Sequence, residues 1–388
     1  MTPVDINEIY NSQDKFEVFL FNVGQGDHLM LKFPNHEYAI IDFHYETSNN
    51  ISEPPSLTYF KALQKKIGEK EFKKNISILF ICVSHTDKDH IKGLSKSLEW
   101  FYKNDVLIKD FWLGASKDEN QYVHFLKTKI EDIIKNHPND YEIRKVFPRF
   151  KRYKKKLTTF FDLLEKWKKR EFNTTKYNEF GNIEYLCEIR GLGLLSSNEE
   201  LEFTNIGPLG NHLDNYDVNL TFEFVKEVVL RINGEQYDPN KIDQNLLSHI
   251  LKLSYNGTNL LFGGDTHAII WEECLDKYLR GSNGYFQRLH GSIDSNLIKV
   301  SHHGSKNSSS EKIWADTISV NGDVFLGISA GKHKGYRHPH SETLKQISNI
   351  RRDANILSTN ICGDCLFQTS LQKEYHIWYD NYVLNDQA

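Results

Sequence analysis

The chain has 388 residues, and its 39% hydrophobic and 13% aromatic side chains supply enough apolar mass for a large buried core. This composition excludes a disordered protein, and a formal net charge of −4 excludes a uniformly basic nucleic-acid binder. No apolar run approaches 18 residues, and the acidic start of the chain is unlike a signal peptide. We therefore expect a cytoplasmic protein without a membrane span, whose five sparse cysteines stay reduced.

The first third of the chain alternates between strands and helices. Alternating or continuous apolar residues predict strands at 16–23, 28–33, 38–42, 76–84 and 108–113. Helical spacing predicts a helix over 57–74, with lysines on its outer side, and a second helix that starts after His90. A layered core of strands and helices follows from this order.

The strand pattern returns after residue 242, in LLSHILKLSY, NLLFGGD, LIKVSHHGS and DVFLGISAG, with helices near 267–280 and 340–351. Residues 116–240 are less regular, and they include long charged helices over 119–172. We therefore predict one domain, 1–388, that carries an insertion at 116–240.

The insertion contains a basic segment at 144–170, with twelve Lys or Arg against two acidic residues. Aromatic residues are interleaved with these charges: Phe147, Phe150, Tyr153, Phe160, Phe161 and Trp167. Such a segment can follow phosphates and stack bases. The alternative is an amphipathic helical insertion with solvated lysines and buried aromatics.

Histidines and aspartates collect just after the predicted strands. The string SHTDKDH places His85, Asp87, Asp89 and His90 on one short loop, and Asp265 follows the paired glycines of NLLFGG. Because imidazoles and carboxylates bind metals and strand ends converge at one edge of a sheet, we predict a metal site there. Taken singly, the loop also fits a solvated polar loop, and Asp265 fits a helix N-cap.

Two later segments add histidines. LIKVSHHGS ends with His302 and His303, and neighbouring side chains on an extended strand point in opposite directions. One of the two is therefore expected to bind metal and the other to pack or hydrogen-bond nearby. The glycine-rich loop GISAGKHKGYRHPH follows a fourth strand and adds three more: His333, His338 and His340.

Six ordered signatures resemble those of the ComEC-type branch of the metallo-β-lactamase superfamily. They are FNVGQGDHLMLKFP, YAIIDFH, VSHTDKDHIKGL, DQNLLSHILKLSYNGTNLLFGGDTH, LIKVSHHGSKNSS and GISAGKHKGYRHPHSETL, over residues 16–114 and 242–370. The resemblance implies an α/β fold, the metallo-β-lactamase αββα sandwich, here with a helical, basic insertion. It also implies a hydrolase that uses two divalent metal ions, zinc or manganese.

The resemblance assigns six metal ligands: His85, Asp87, Asp89, His90, Asp265 and His302. The first two bind one ion, Asp265 is shared by both ions, and the other three bind the second ion. A further family ligand has no counterpart with a motif here, and His212 lies nearest to its place. Asp42, in IDFH where the family has IDTG, is expected to be structural.

Roles in catalysis follow from the same resemblance. Asp89 is expected to orient the hydroxide that the metals generate from water, and His338 to protonate the leaving oxygen. Ser305 is expected to hold a phosphate oxygen, with a turn-stabilising role as the alternative. Four further residues are expected to bind substrate: His303, Lys306, His333 and Tyr336.

ComEC-type domains are associated with degradation of one DNA strand during uptake, and the family's membrane channel is absent from this sequence. The resemblance therefore implies a stand-alone phosphodiesterase or nuclease acting on DNA or RNA. Expected settings are nucleic-acid processing or defence against foreign DNA, with a protein partner from the same operon. A small-molecule phosphodiesterase or lactonase would share the metal ligands, and a non-catalytic partner-binding protein is the third class.

Cys362 and Cys365 form a CxxC in ICGDCLF without a second pair. The segment is typical of a strand edge with a turn, which favours a structural role. A redox or zinc-binding pair is the alternative.

Overall fold

The computed structural model describes residues 15–47, 52–85, 87–113, 183–185, 193–197, 201–209, 212, 244–281, 284, 291–331, 337–369 and 375–379. The basic segment 144–170 lies outside them and remains a prediction from the sequence. The described strands, in chain order, are β1 (Phe16–Leu20), β2 (Leu29–Phe33), β3 (Glu37–Ile41), β4 (Ser77–Val83), β5 (Leu107–Leu113), β6 (Ile183–Tyr185), β7 (Gly193–Ser197), β8 (Leu201–Gly207), β9 (Ile250–Tyr255), β10 (Thr258–Phe262), β11 (Leu297–Lys299), β12 (Phe325–Ile328), β13 (Asn355–Ser358), β14 (Cys365–Thr369) and β15 (Tyr375–Tyr379).

Helices connect and cover these strands. Those within the described residues are α1 (Pro55–Ile67), α2 (Glu69–Asn75), α3 (Lys88–Ile91), α4 (Leu94–Lys103), α5 (Ala268–Arg280), α6 (Glu311–Thr317), α7 (Ser341–Ile350) and α8 (Thr359–Cys362). None of them is both long and apolar enough to cross a membrane.

The strands form two mixed sheets. Sheet 1 has the order β15-β14-β1-β2-β3-β4-β5-β6, and sheet 2 has the order β13-β12-β11-β10-β9-β8-β7. The two sheets pack face to face through large apolar residues such as Leu31 and Phe80 on sheet 1 and Phe203 and Leu253 on sheet 2. Burial of this shared layer is the main force that holds the sheets together.

Each sheet is covered by helices on its other face. Helices α1, α2 and α4 pack on sheet 1 through residues such as Phe60, Phe72 and Phe101. Helices α5, α6 and α7 cover sheet 2, with Trp271 and Trp314 in the apolar layer between them. The layers are therefore α, β, β and α, which confirms the predicted αββα sandwich.

Parallel strands determine where functional loops collect. Strands β3, β4 and β5 are parallel in sheet 1, and β10, β11, β12 and β13 are parallel in sheet 2. The loops that leave their carboxyl ends meet at one edge of the sandwich. This edge carries the SHTDKDH loop from sheet 1 and Asp265, His302 and His303 from sheet 2.

Two expectations differ from the structure in detail. The helix predicted over 57–74 is two helices, α1 and α2, because Gly68 between them takes φ 86 and ends the first. Within the predicted insertion 116–240, the described residues supply β6 to sheet 1 and both β7 and β8 to sheet 2. These strands lie within the stretch that the sequence analysis described as less regular.

Phe80 tests the contact between the sheets, since its ring centroid lies 3.9 Å from that of Trp112 and 4.6 Å from that of Phe203. We expect Phe80→Ala to lower the free energy of unfolding by about 3–5 kcal/mol, because it removes buried area and leaves a cavity. Urea denaturation measures the change. The exposed Ile269 provides the control, as Ile269→Ala should change stability by less than about 0.5 kcal/mol. Equal effects of the two changes would contradict this account of the core.

Candidate metal centre

The SHTDKDH loop is fixed by Asp42, which follows β3. The Ser84 backbone N–H donates to Asp42 Oδ1 at 2.8 Å, and the Ser84 hydroxyl donates to Asp42 Oδ2 at 2.7 Å. The short helix α3 then turns the chain back, so that the rings of His85 and His90 lie 4.0 Å apart, centroid to centroid. Both histidines are fully buried. Asp42 thus has the structural role that the sequence analysis expected.

Asp42 also orients His90. The Nδ1–H of His90 donates to Asp42 Oδ2 at 2.7 Å, and its Nε2 faces Asp265 Oδ2 at 3.3 Å. A carboxylate behind a histidine fixes the tautomer and orientation in the way that metal-binding histidines require. Asp42 itself has φ 59, a left-handed conformation that is unusual for a residue other than glycine.

On the other side of the centre, Asp265 follows β10 and the pair Gly263 and Gly264. Gly264 has φ 48, and a side chain there would overlap the Ser248 hydroxyl. That hydroxyl accepts the backbone N–H of Asp265 at 2.7 Å, and it lies 3.3 Å from Nδ1 of His85. Ser248 therefore contacts both His85, a candidate ligand from sheet 1, and Asp265, a candidate ligand from sheet 2. The sequence analysis did not identify this role.

His302 and His303 both lie near Asp265, contrary to the expectation that they point in opposite directions. Their Nε2 atoms are 3.9 Å and 3.4 Å from Asp265 Oδ2. The reason is the backbone, because both residues are left-handed, with φ 48 and 55, and the alternation of an extended strand does not apply to them. The Nδ1–H of His303 donates to the Ser329 carbonyl at 2.8 Å, whereas His302 is partly exposed.

Four side chains converge closely enough to hold one ion: Asp89, His90, Asp265 and His303, with a ligand atom of each within 4.8 Å of the others. Asp265 Oδ2 lies 3.3 Å from His90 Nε2, and His303 Nε2 lies 3.7 Å from Asp89 Oδ2. Two ligand atoms on a tetrahedral zinc ion are about 3.3 Å apart, given metal–ligand distances of about 2.0–2.1 Å. The group fits a divalent metal without large rearrangement.

Buried ligand atoms without hydrogen-bond partners mark the same place. Among such atoms in the described part of the chain are the Nε2 atoms of His85, His90 and His303 and the Oδ1 atoms of Asp265 and Asp27, all at or beside the centre. Leaving a buried polar atom unpaired costs about 1–3 kcal/mol. Several such atoms in one place indicate a site built for a ligand that supplies the missing interactions.

The electrostatics of the group favour a cation. Burial alone would lower the pKa of His90, but the carboxylates of Asp265 and Asp42 outweigh it and raise that pKa well above its usual value. In the same way Asp265 and Asp89 raise the pKa of His303 to about 10 against the effect of burial. The carboxylates thus attract positive charge into this buried space, as a proton or as a metal ion.

His85 and Asp87, the predicted ligands of a first ion, lie 3.9 Å apart between Nε2 and Oδ2. Burial lowers the pKa of His85 well below its usual value, which keeps the imidazole neutral and its nitrogen able to bind metal. His212 lies elsewhere, because its Nε2 is 2.7 Å from Glu273 and its Nδ1 accepts the Leu209 backbone N–H. It does not join the group.

Asp27, Asp42 and His90 form a second group within 4.8 Å. Three of its four carboxylate oxygens have hydrogen-bond or ion-pair partners, since Asp27 Oδ2 pairs with Lys299 and both oxygens of Asp42 accept from Ser84. Asp27 Oδ1 has no hydrogen-bond partner and lies 3.6 Å from Nδ1 of His303. This group lies behind the candidate metal ligands. Asp27 and Lys299 were not singled out from the sequence, although a lysine inside the apolar strand LIKVS was a visible signal.

Two predicted catalytic residues, His338 and Ser305, adjoin the histidines of the centre. The ring centroid of His338 lies 5.7 Å from that of His302 and 6.0 Å from that of His303, and its Nδ1 accepts from the Gln25 amide at 3.1 Å. The Ser305 hydroxyl accepts the Asn307 backbone N–H, which is the turn-stabilising alternative.

Lys306 is exposed, and its backbone N–H donates to His340 Nδ1 at 3.1 Å. His333 and Tyr336 lie outside the described residues. Their predicted contribution to substrate binding therefore remains a prediction from the sequence.

The CxxC pair lies at the end of α8 and the start of β14, and neither cysteine belongs to the candidate metal group. Cys362 and Cys365 are both buried, and no disulfide joins them. A hydrogen bond from the Cys365 thiol lowers the pKa of Cys362 to about 7. Their burial in the apolar layer between the sheets agrees with the structural role favoured by the sequence.

No protein-family model matches the chain, and no curated protein is significantly similar to it. Among solved structures, the chain is similar to the metallo-β-lactamase fold protein YhfI from Bacillus subtilis, with 8% identity and a TM-score of 0.39 over 91% of this chain and 99% of that one. It is also similar to human tRNase Z, short form, with 10% identity and a TM-score of 0.34 over 89% and 92% of the two chains. The functional argument therefore depends on the site itself.

His28 supports the loop beside the centre and is fully buried. Its Nδ1–H donates to the His44 carbonyl at 3.1 Å, and its Nε2 accepts from the Ser56 hydroxyl at 2.8 Å. Burial lowers the pKa of His28 to about 3, so the folded protein keeps this ring neutral. In the unfolded chain the His28 ring binds a proton with a pKa near 6.5. The stabilisation of the folded state by the neutral His28 ring is therefore complete above pH 6.5 and is lost as pH falls toward 3.

We expect the difference in unfolding free energy between the metal-free wild type and His28→Gln to narrow as pH falls from 6 to 4. The expected slope is about 1.4 kcal/mol per pH unit, the value for one proton. Urea denaturation at several pH values measures it. Phe43→Leu, a buried neighbour that does not titrate, should show a difference independent of pH. A pH-independent difference for His28→Gln would rule out this linkage.

Proposed function

We propose that this protein is a metal-dependent hydrolase that cleaves phosphodiester bonds in nucleic acid. The observation that carries the proposal is the convergence of unpaired, buried ligand atoms from His85, His90, Asp265 and His303 at the carboxyl edge of both sheets. A scaffold protein has no need for such a costly arrangement. The six sequence signatures of the ComEC-type branch support the same class of chemistry.

Asp89, His90, Asp265 and His303 would hold one divalent ion, and His85 and Asp87 would hold a second, with Asp265 shared. We assign His303, in place of the His302 expected from the sequence, because its Nε2 is closer to Asp265 and its Nδ1 is held by Ser329. Zinc or manganese suits this mixture of imidazole and carboxylate. Such ions supply Lewis acidity, which activates water and offsets the charge of a phosphodiester.

We assign to His338 the role of acting on the substrate. Burial, together with the nearby His303, lowers the pKa of His338 to about 4, so its ring is neutral at pH 7. Because Nδ1 accepts from the Gln25 amide, the ring proton of the neutral form lies on Nε2. That N–H can donate to a phosphate oxygen or to the leaving oxygen of the cleaved ester.

Nucleic acid is the proposed substrate because two features of the sequence agree. The signatures resemble those of a branch associated with DNA degradation, and the basic segment 144–170 supplies lysines and arginines that can bind phosphates. Neither feature alone separates a polymer substrate from a small ester. Comparison of the two substrates on one enzyme therefore tests the proposal directly.

The metal mechanism is tested by His90→Ala. We expect cleavage of labelled single-stranded or double-stranded DNA or RNA to fall by at least about 10³-fold, because a ligand and its tie to Asp42 are lost. Rates are measured on chelator-stripped protein after addition of zinc or manganese. His212→Ala is the matched control, a buried histidine with its own carboxylate partner outside the centre, and should keep near-normal rates.

Two outcomes of these measurements would contradict the proposal. Near-normal activity of His90→Ala would exclude the proposed centre. Metal binding by the wild type without cleavage of any polymer, but with cleavage of a small chromogenic phosphodiester, would replace the nuclease with a small-ester hydrolase.

The basic segment is tested by reversing Lys154, Lys155 and Lys156 to Glu. Because each lost phosphate contact reduces the slope of log affinity against log salt by about 0.7–0.9, we expect weaker polymer binding and a shallower salt dependence. Hydrolysis of the small chromogenic ester should be unchanged.

The matched control reverses three exposed lysines on α1 and α2, namely Lys65, Lys66 and Lys70. Fluorescence anisotropy of labelled oligonucleotides at several salt concentrations compares the two triple variants. Equal polymer affinity in both would contradict a nucleic-acid role for the segment.

A further inference from the structure

Lys299 is a charged residue inside the sandwich. It ends β11 in the apolar stretch LIKV, and its side chain is only 3% exposed. Its ammonium forms an ion pair with Asp27, which is 1% exposed, and donates to the Gly264 carbonyl at 3.3 Å. A buried charge is costly unless it is paired, so the position of Lys299 depends on both partners.

Asp27 belongs to the loop between β1 and β2 of sheet 1, and it contacts the metal centre from behind. Its backbone N–H donates to the Asp89 carbonyl at 3.0 Å. Its carboxylate lies 3.6 Å from Nδ1 of His303 and 4.0 Å from Nδ1 of His90. Asp27 therefore adjoins the Nδ1 side of two histidines proposed to bind one ion and the backbone of Asp89, a third proposed ligand.

Lys299 reaches the rest of the centre from sheet 2. The Gly264 carbonyl that it binds belongs to the residue before Asp265, and the same carbonyl accepts the His302 backbone N–H at 2.9 Å. The ion pair thus connects the half of the centre built on sheet 1 with the half built on sheet 2.

We propose that Lys299 and Asp27 are positioning residues, a buried ion pair that holds the two halves of the metal centre at the spacing that one ion requires. This inference rests on the proposed metal-dependent function. The pair also occupies Oδ2 of Asp27, so that without Lys299 both oxygens of this carboxylate would be available to an ion held by Asp27, Asp42 and His90 behind the proposed centre.

A second buried ion pair in the same protein provides a matched control. Lys32 and Glu17 are 3.0 Å apart between Nζ and Oε2, and both side chains are 0% exposed. They are cross-strand partners on β2 and β1, on the face of sheet 1 that the helices cover. This pair has the same chemistry and burial, but it does not lie at the edge where the metal centre is.

The test uses full-length double variants, in which no buried charge is left alone: Lys299→Met with Asp27→Asn, and Lys32→Met with Glu17→Gln. Removing both members of a buried pair is far less damaging to the fold than removing one. Thermal melting establishes that each protein is folded. Calorimetric titration of chelator-stripped protein with zinc and with manganese then gives stoichiometry and affinity without reference to activity.

We expect the Lys299 and Asp27 double variant to bind its tightest ion about 10–100-fold more weakly than wild type, the usual effect of losing support behind metal ligands. The Lys32 and Glu17 double variant should bind within about twofold of wild type. Wild-type affinity in the Lys299 and Asp27 double variant would show that the pair serves the fold alone and would overturn the inference. Absence of metal binding by the wild type would overturn the proposed function instead, so the two failures are distinguishable.

Discussion

Repulsion between carboxylates is the constraint on which the rest of this structure depends. Asp27, Asp42, Asp89 and Asp265 are brought together where the two sheets meet, and three of them are almost fully buried. Each is stabilised differently: Asp27 by an ammonium, Asp42 by hydrogen bonds from Ser84 and His90, and Asp265 by two imidazoles. The remaining excess of negative charge is what makes this edge suited to divalent cations.

The fold was accessible from the sequence because its strongest signals are local. Continuous apolar strands such as ISILFICVS can be buried only between layers, and their alternation with amphipathic helices indicates an α/β sandwich. Boundaries were less accessible, since the break at Gly68 depends on a backbone angle that helical periodicity does not reveal. The strands β6, β7 and β8 were hidden because they lie within a chain region of mixed pattern.

The residue types of the candidate centre could be predicted from the sequence, but only part of their spatial arrangement could. The string SHTDKDH and Asp265 stand out as metal ligands because few structural reasons place histidines and aspartates so densely. The choice between His302 and His303 could not be made from periodicity, because both residues leave the extended conformation on which the argument depended. Ser248 and Asp27 act through hydrogen bonds and charge across the sheets, which sequence spacing does not show.

Sheet 1 is completed by strands from opposite ends of the described chain, because β14 pairs antiparallel with β1 from Phe16 to Leu20. During synthesis on a ribosome, β1 emerges long before β14, so the edge of β1 that pairs with β14 stays open until residues 365–369 are made. An unpaired strand edge is a template for association with other chains. Until β14 pairs with it, this edge can associate with another chain. A chaperone that covers the edge, or fast translation of the segment between β1 and β14, would therefore reduce aggregation.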